Sequence, residues 1–135
     1  MEQSVENIRR SLGRALTSHN LIRRFYDIFM VCDPRIAEKF SNTDFDQQYA
    51  LLEHALSMAI LFPQGNFMAK QAMARLRQSH NARHLDIPPE LYTLWADSLI
   101  KALADTDPEF SDTLEQQWRE TLQPAIDYIQ SGYNE

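Results

Sequence analysis

Apolar residues along the chain recur three and four positions apart, in blocks separated by prolines, glycines and acidic residues. Between 21 and 31 the block holds Leu21, Ile22, Phe25, Ile28 and Phe29 at helical spacing, with Ser18 or Asn20 placed to cap it. Asp33 and Pro34 then open a short helix through "RIAEKF", because proline is well tolerated in a first turn, where its missing N–H would have no helical partner. Thr43 with Asp46 three residues on resembles a capping arrangement. After it Phe45, Leu51, Leu52, Ala55, Leu56, Ala59 and Ile60 make a broad apolar face that stops near "FPQG". A shorter amphipathic helix runs from about Asn66 to a pair of histidines. It carries Phe67, Met68, Met73 and Leu76 on one side and Lys70, Arg75 and Arg77 on the other.

Asp86 or Ile87 ahead of Pro88, Pro89 and Glu90 marks another helix start, followed by Leu91, Leu94, Trp95, Ser98, Leu99 and Ala102. Asp107, Pro108 and Glu109 repeat that device. The last helix then carries Leu114, Trp118, Leu122, Ile126, Ile129 and Tyr133 as a nearly unbroken spine. No segment sustains the period-2 alternation of a half-buried strand, and glycine occurs only three times. The expected fold class is all-α.

A length of 135 residues with 44% hydrophobic content suits one core, so a single domain over 1–135 is expected and a second catalytic domain has no room. The formal charge of -6, with acids spread along the chain, disfavours a phosphate backbone or an anionic bilayer. Neither nucleic acid nor membrane is an expected partner. The run "AILF" at 59–62 ends at Pro63, far short of the roughly 18 apolar residues that cross a bilayer. Cys32 has no internal partner, and "MEQSVENIRR" lacks the basic-then-apolar order of a secretory signal, so a cytoplasmic protein is expected.

The two histidines, His80 and His84, are four apart, a spacing that can place both imidazoles on one metal. A zinc site also wants a third ligand, and the HExxH order is absent while Cys32 is distant in sequence. His84 lies beside Arg83 at a cationic helix end, where free carbonyls and the macrodipole favour it. His80 follows Leu76 by four and Met73 by seven, so it shares their apolar face; a hydrogen-bonded core histidine is the ordinary reading of such a position.

Taken in order, "FYDIFMVCDPRIAEKF", "NTDFDQQYALL", "HNARHLDIPPELYTLW" and "DPEFSDTLEQQWRETLQPAIDYI" resemble the globin family in a compact bacterial single-domain form, over about residues 5–133. The resemblance implies a globin-like helical fold with short or missing helices relative to full-length globins, and haem b as cofactor. By the same resemblance His80 is the proximal ligand of the haem iron. Tyr26, eight residues before Pro34, places its hydroxyl over the bound gas, and Phe40, six after Pro34, packs on the haem. The resemblance likewise implies Gln48 as the distal residue and Leu52 as the apolar wall, with Leu91 or Trp95 reaching the haem edge; Arg83 is a propionate partner or, as the ordinary reading of such a position, solvated surface. Two alternatives stay open. The stretch from His80 to the prolines is a little longer than in common globins, so an alignment on the prolines moves the ligand to His84. Gln47 competes with Gln48, although Gln48 shares a face with Leu52 and Ala55, from which Gln47 is rotated by about 100°.

The function so implied is reversible binding of O2, with NO, CO and sulfide as further gaseous ligands. Hydrogen bonds from Tyr26 and Gln48 to a gas carrying partial negative charge suit sensing, scavenging or redox chemistry better than delivery. No flavin or nicotinamide motif is present, so turnover of NO needs a separate reductase and enzyme status stays open; sensing needs a signalling partner. A homodimer through the last two helices would bury the faces around Tyr92 and Tyr128. The alternative, from a different class, is a haem-free globin-like interaction module in a regulatory or stress-response pathway, its pocket filled by Phe62, Phe67 or Met68.

Overall fold

A computed structural model describes the backbone of residues 2–135 and the side chains of 4–17 and 20–135. Among these residues there are seven α-helices and no strand: α1 (Glu2–His19), α2 (Leu21–Cys32), α3 (Pro34–Lys39), α4 (Phe45–Leu61), α5 (Phe67–Ser79), α6 (Glu90–Thr106) and α7 (Asp112–Ser131). A single 3-10 turn, Phe62–Gln64, follows α4, and only five residues, 40–44, separate α3 from α4. No helix of the described residues is long and apolar enough to cross a membrane.

The core forms where the apolar stripes of these helices meet. Helix α2 packs most extensively on α6; α2 buries Leu21, Ile22, Phe25, Tyr26 and Phe29, and the buried residues of α6 include Leu91, Leu99 and Leu103. Helix α5 rests on α7 and α4, while α1 lies across α6 and α7 and buries Ile8, Leu12 and Ala15. Helix α1 was not anticipated from sequence, although Ile8, Leu12 and Ala15 recur at four and three positions and carry the same signal as the other blocks. Leu99, Leu103 and Trp118 are wholly buried, and truncating either leucine to alanine should cost about 2–5 kcal/mol.

Local chemistry sets the helix ends, with several departures from the expected caps. Asn20 does not cap α2 through its side chain. It joins α1 to α2 in the left-handed region (φ 56°), which asparagine tolerates better than most residues, while the side chain of Ser18 lies outside those described. Asp33 does cap α3, its Oδ1 accepting from Arg35 N at 2.8 Å. At α4 the cap is Asp44 rather than Thr43: its Oδ1 accepts from the backbone N–H groups of Asp46 (3.1 Å) and Gln47 (3.4 Å). Asn66 caps α5 through Ala69 N (2.9 Å). Helix α6 starts after Pro89 with no side-chain cap. Helix α7 is capped by Ser111, whose Oγ accepts from Leu114 N at 3.2 Å, and not by the Asp107–Glu109 turn.

Three apolar side chains assigned to buried faces point outward: Leu51 is 53% exposed, Phe67 69% and Met68 62%. The inward stripe of α4 runs through Leu52, Leu56, Ala59 and Ile60, about 100° around the helix from Leu51. In α5 small residues carry the burial, Ala69 and Ala72 with Met73, which lets the helix approach its neighbours closely. Tyr133 is not part of the α7 spine, since that helix ends at Ser131 and Tyr133 lies in the turn beyond it.

Candidate functional site

Two polar arrangements stand out, one on α2 and α4 and the other at the end of α5. On α2, Tyr26 is buried in an aromatic cluster, with ring centroids 5.6 Å from Phe40, 5.7 Å from Phe45 and 5.6 Å from Tyr49. The Asp44 cap fixes where α4 begins and so turns Gln48 toward Tyr26. The Gln48 amide Nε2 donates to the Tyr26 hydroxyl at 2.9 Å. Gln47 is exposed, and its backbone N–H is spent on the Asp44 cap. Because the amide donates to the phenol oxygen, the phenol keeps its own proton for another acceptor. Burial pushes the Tyr26 pKa up to about 12, with the Gln48 hydrogen bond pulling the other way, so the hydroxyl is protonated at neutral pH.

At the far end of α5, His80 is the residue that closes the helix, its N–H donating to Leu76 O at 2.9 Å. The hydroxyl of Ser79 donates to the same carbonyl at 3.1 Å and lies 3.0 Å from His80 Nδ1. A serine has one proton to give. With that proton directed to Leu76 O, the Ser79 oxygen is free to accept from Nδ1–H, an arrangement that fits the neutral tautomer with its lone pair on Nε2. Burial lowers the pKa of His80, opposed by hydrogen bonding to the Leu76 backbone, so the ring is a neutral base at pH 7.

His84 is placed differently. It is exposed, and its Nδ1 lies 2.8 Å from Asn81 Oδ1, which also accepts from Arg83 N at 3.1 Å. The two histidines share no helical face, because α5 has ended at Ser79. The chain after it turns back on itself through Leu85 N to Ser79 O (3.0 Å), Asp86 N to Asn81 O (2.9 Å) and Ile87 N to His80 O (3.0 Å). Among the described residues no group of three His, Cys, Asp or Glu side chains could hold a metal ion, so the two-histidine zinc arrangement finds no third ligand.

The remaining expected site residues are dispersed in burial. Leu52 and Leu91 are buried, Phe40 is half-buried, and Trp95 is half-buried with its ring 5.8 Å from Phe25. Leu76, Ile87 and Leu94 are also only partly covered, although they pack against the core. Arg83 is exposed. Phe67 and Met68, being exposed, fill no interior pocket, and Phe62 packs instead against Tyr128, with ring centroids 5.3 Å apart and the planes tilted by 35°. Tyr92, expected on an outer face, is buried within the chain by its place on the inner side of α6. Sequence reasoning missed Ser79, whose hydroxyl lies against His80 Nδ1, and Tyr49, which completes the aromatic cluster. A hydroxyl three residues after Leu76 and next to a helix-ending histidine was the available signal for Ser79.

The fold is therefore all-α, with a short helix and a corner between α2 and α4 and a histidine ending α5. No family model matches the chain, and no curated protein matches it. A crystal structure of a protein from Pseudomonas aeruginosa PAO1, structurally highly homologous to a human hemoglobin, matches with a TM-score of 0.92 and 31% sequence identity. The match covers 98% of this chain and 99% of that one. The chain belongs to the globin family.

Proposed function

We propose that this chain is a haem-binding globin in which Nε2 of His80 ligates the iron of haem b, and that residues 1–135 act as one domain. The reading rests on one observation above others: Ser79 Oγ, itself bonded to Leu76 O, lies against Nδ1 of His80 and leaves Nε2 without a protein partner among the described residues, open to the iron. Metal-ligating histidines are held in this way by a partner on the second nitrogen, which fixes ring orientation and raises basicity. The donor set fits the cofactor, since a neutral imidazole, the incompletely covered apolar residues Phe40, Leu76, Ile87 and Leu94, and a protonated phenol are what haem and a polar diatomic ligand require.

When bound, haem supplies the iron at which O2, and by extension NO, CO or sulfide, is held. The chain supplies the rest. The Tyr26 hydroxyl would donate a hydrogen bond to the bound gas, and the Gln48 amide, donating to the phenol oxygen at 2.9 Å, would hold that hydroxyl in place for it. Leu52 and Leu91, both buried, and the half-buried Trp95 are the apolar side chains that would keep water from the gas, and the exposed Arg83 would be available to a propionate. The strong distal donor suits sensing, scavenging or redox chemistry, each of which draws on a separate signalling partner or reductase; a homodimer would use surface other than Tyr92.

The absorption spectrum after haem addition tests this reading. A Soret band is expected in the wild-type chain and its absence ends the haem assignment in favour of a haem-free interaction module. In His80→Ala the band and the iron coordination are expected to change; an unchanged spectrum places the ligand elsewhere, with His84 the next residue to replace.

A further inference from the structure

The turn that follows His80 is held by the last residues of the chain. Ala82 N–H donates to Tyr133 O at 2.8 Å, and the Tyr133 hydroxyl donates to the Asp86 carboxylate, so one tyrosine grips both limbs of the turn. Arg77, on the last turn of α5, pairs with Glu135 and lays its guanidinium over the Tyr128 ring, 4.9 Å from the centroid. Gly132 makes this approach sterically feasible, because a Cβ there would collide with Cγ and Nε of Arg77. Asp86 sits in the left-handed region with φ 56°, which aspartate, like asparagine, enters more readily than most residues but which still costs energy that its surroundings offset. The surroundings are Asn81 O, which accepts its N–H at 2.9 Å, and the Tyr133 hydroxyl on its carboxylate.

We propose that Tyr133, Asp86, Arg77 and Gly132 form a clasp that positions His80. The mechanical link is short. The turn closes onto the carbonyls of Ser79 and His80 through Leu85 N (3.0 Å) and Ile87 N (3.0 Å), and Ser79 is the residue that holds His80 Nδ1. When the clasp opens, Asp86 relaxes out of the left-handed region, those closing bonds are released, and the Ser79–His80 pair loses its rigid base. Tyr133 and Asp86 are positioning residues that act through Ser79 and His80, and their effect on the cofactor depends on the haem reading given above. On the opposite side Lys39 Nζ donates to Leu85 O at 3.1 Å, which anchors the turn to α3 and gives a control site outside the clasp.

The test uses Tyr133→Phe, which removes one hydroxyl, and Gly132→Ala, which expels Arg77, each first checked for wild-type helix content. Amide hydrogen exchange on the full chain without haem is expected to speed up about tenfold at Leu85, Asp86 and Ile87, the scale of one lost charge-assisted hydrogen bond, with the α2 and α6 core unchanged. On the haem-loaded chain, loss of haem to an acceptor protein should accelerate and the iron–histidine stretching band should shift or broaden. Unchanged exchange in both variants overturns the clasp. Faster exchange with unchanged haem loss and an unchanged iron–histidine band overturns the positioning role. A wild-type chain that takes up no haem ends the haem reading and the positioning role together, and the exchange data then judge the clasp alone.

Discussion

Replacing Asp107 should be among the most damaging single changes in the chain. Its carboxylate has a side-chain exposure of 0% and accepts four hydrogen bonds: Arg14 Nε (2.6 Å) and Nη2 (2.9 Å), Ser11 Oγ (2.6 Å) and the Glu109 N–H (3.0 Å). Trp118 Nε1 donates in turn to Ser11 Oγ at 3.1 Å, so α7 joins α1 and the end of α6 through the serine that donates to Asp107. Asp107→Ala leaves the guanidinium, the hydroxyl and the N–H without it. Breaking a buried charge pair from one side costs about 3–5 kcal/mol; Arg14 keeps 26% exposure and has Glu109 at 3.6 Å, so the lower end, about 3 kcal/mol, is expected. For a chain of this length that is a fall in melting temperature of roughly 10–15 °C. Urea denaturation followed by tryptophan fluorescence measures it. The pH dependence carries its own sign. Burial alone would raise the Asp107 pKa, but Arg14, Ser11 and the Glu109 N–H hold it below the usual carboxylate range. A depressed folded-state value means the stabilisation is present above the unfolded value of about 3.9 and disappears as pH falls through the folded one. Asp107→Asn should be less stable at neutral pH and lose less stability on acidification. An Asp107→Ala chain within about 1 kcal/mol of wild type, or an acid limb identical in Asp107→Asn, would refute the reasoning.

Other consequences follow from the same structure. Tyr26→Phe should raise the O2 dissociation rate of the haem-loaded chain by about 10- to 100-fold, as loss of a hydrogen bond to a charged acceptor implies, while Gln48→Leu, which removes only the support, should act more weakly; stopped-flow kinetics separates the two. Asn66→Ala removes the α5 cap and should cost about 1 kcal/mol in chemical denaturation. Phe67→Ser and Met68→Ser, despite deleting large apolar side chains, should change stability by no more than about 0.5 kcal/mol, because both are exposed.

Much of this fold was legible along the chain, because helical spacing and caps are local. Six of the helices follow from apolar recurrence and from prolines at 34 and 88–89, and the overlooked α1 carries the same pattern in Ile8, Leu12 and Ala15. Spacing was less informative about which apolar residues go inside. The largest side chains near the start of α5 invited burial, yet Ala69 and Ala72 took it, since what α5 can bury depends on how closely α4 and α7 approach. The same limit applies to the site. A tyrosine before a short proline-led helix, a glutamine early in the next helix and a histidine ending an amphipathic stretch could all be picked out by position and family resemblance.

By itself, then, the sequence determined the helices, the all-α class and the short list of residues able to do chemistry, since each depends on neighbours within one or two turns. Tertiary structure alone decided that the Gln48 amide meets the Tyr26 oxygen, that Asp107 is buried against Arg14 instead of opening a helix, and that Tyr133 reaches Asp86. These contacts join residues 22, 93 and 47 positions apart, and their partners are chosen by how whole helices pack, which no local pattern encodes.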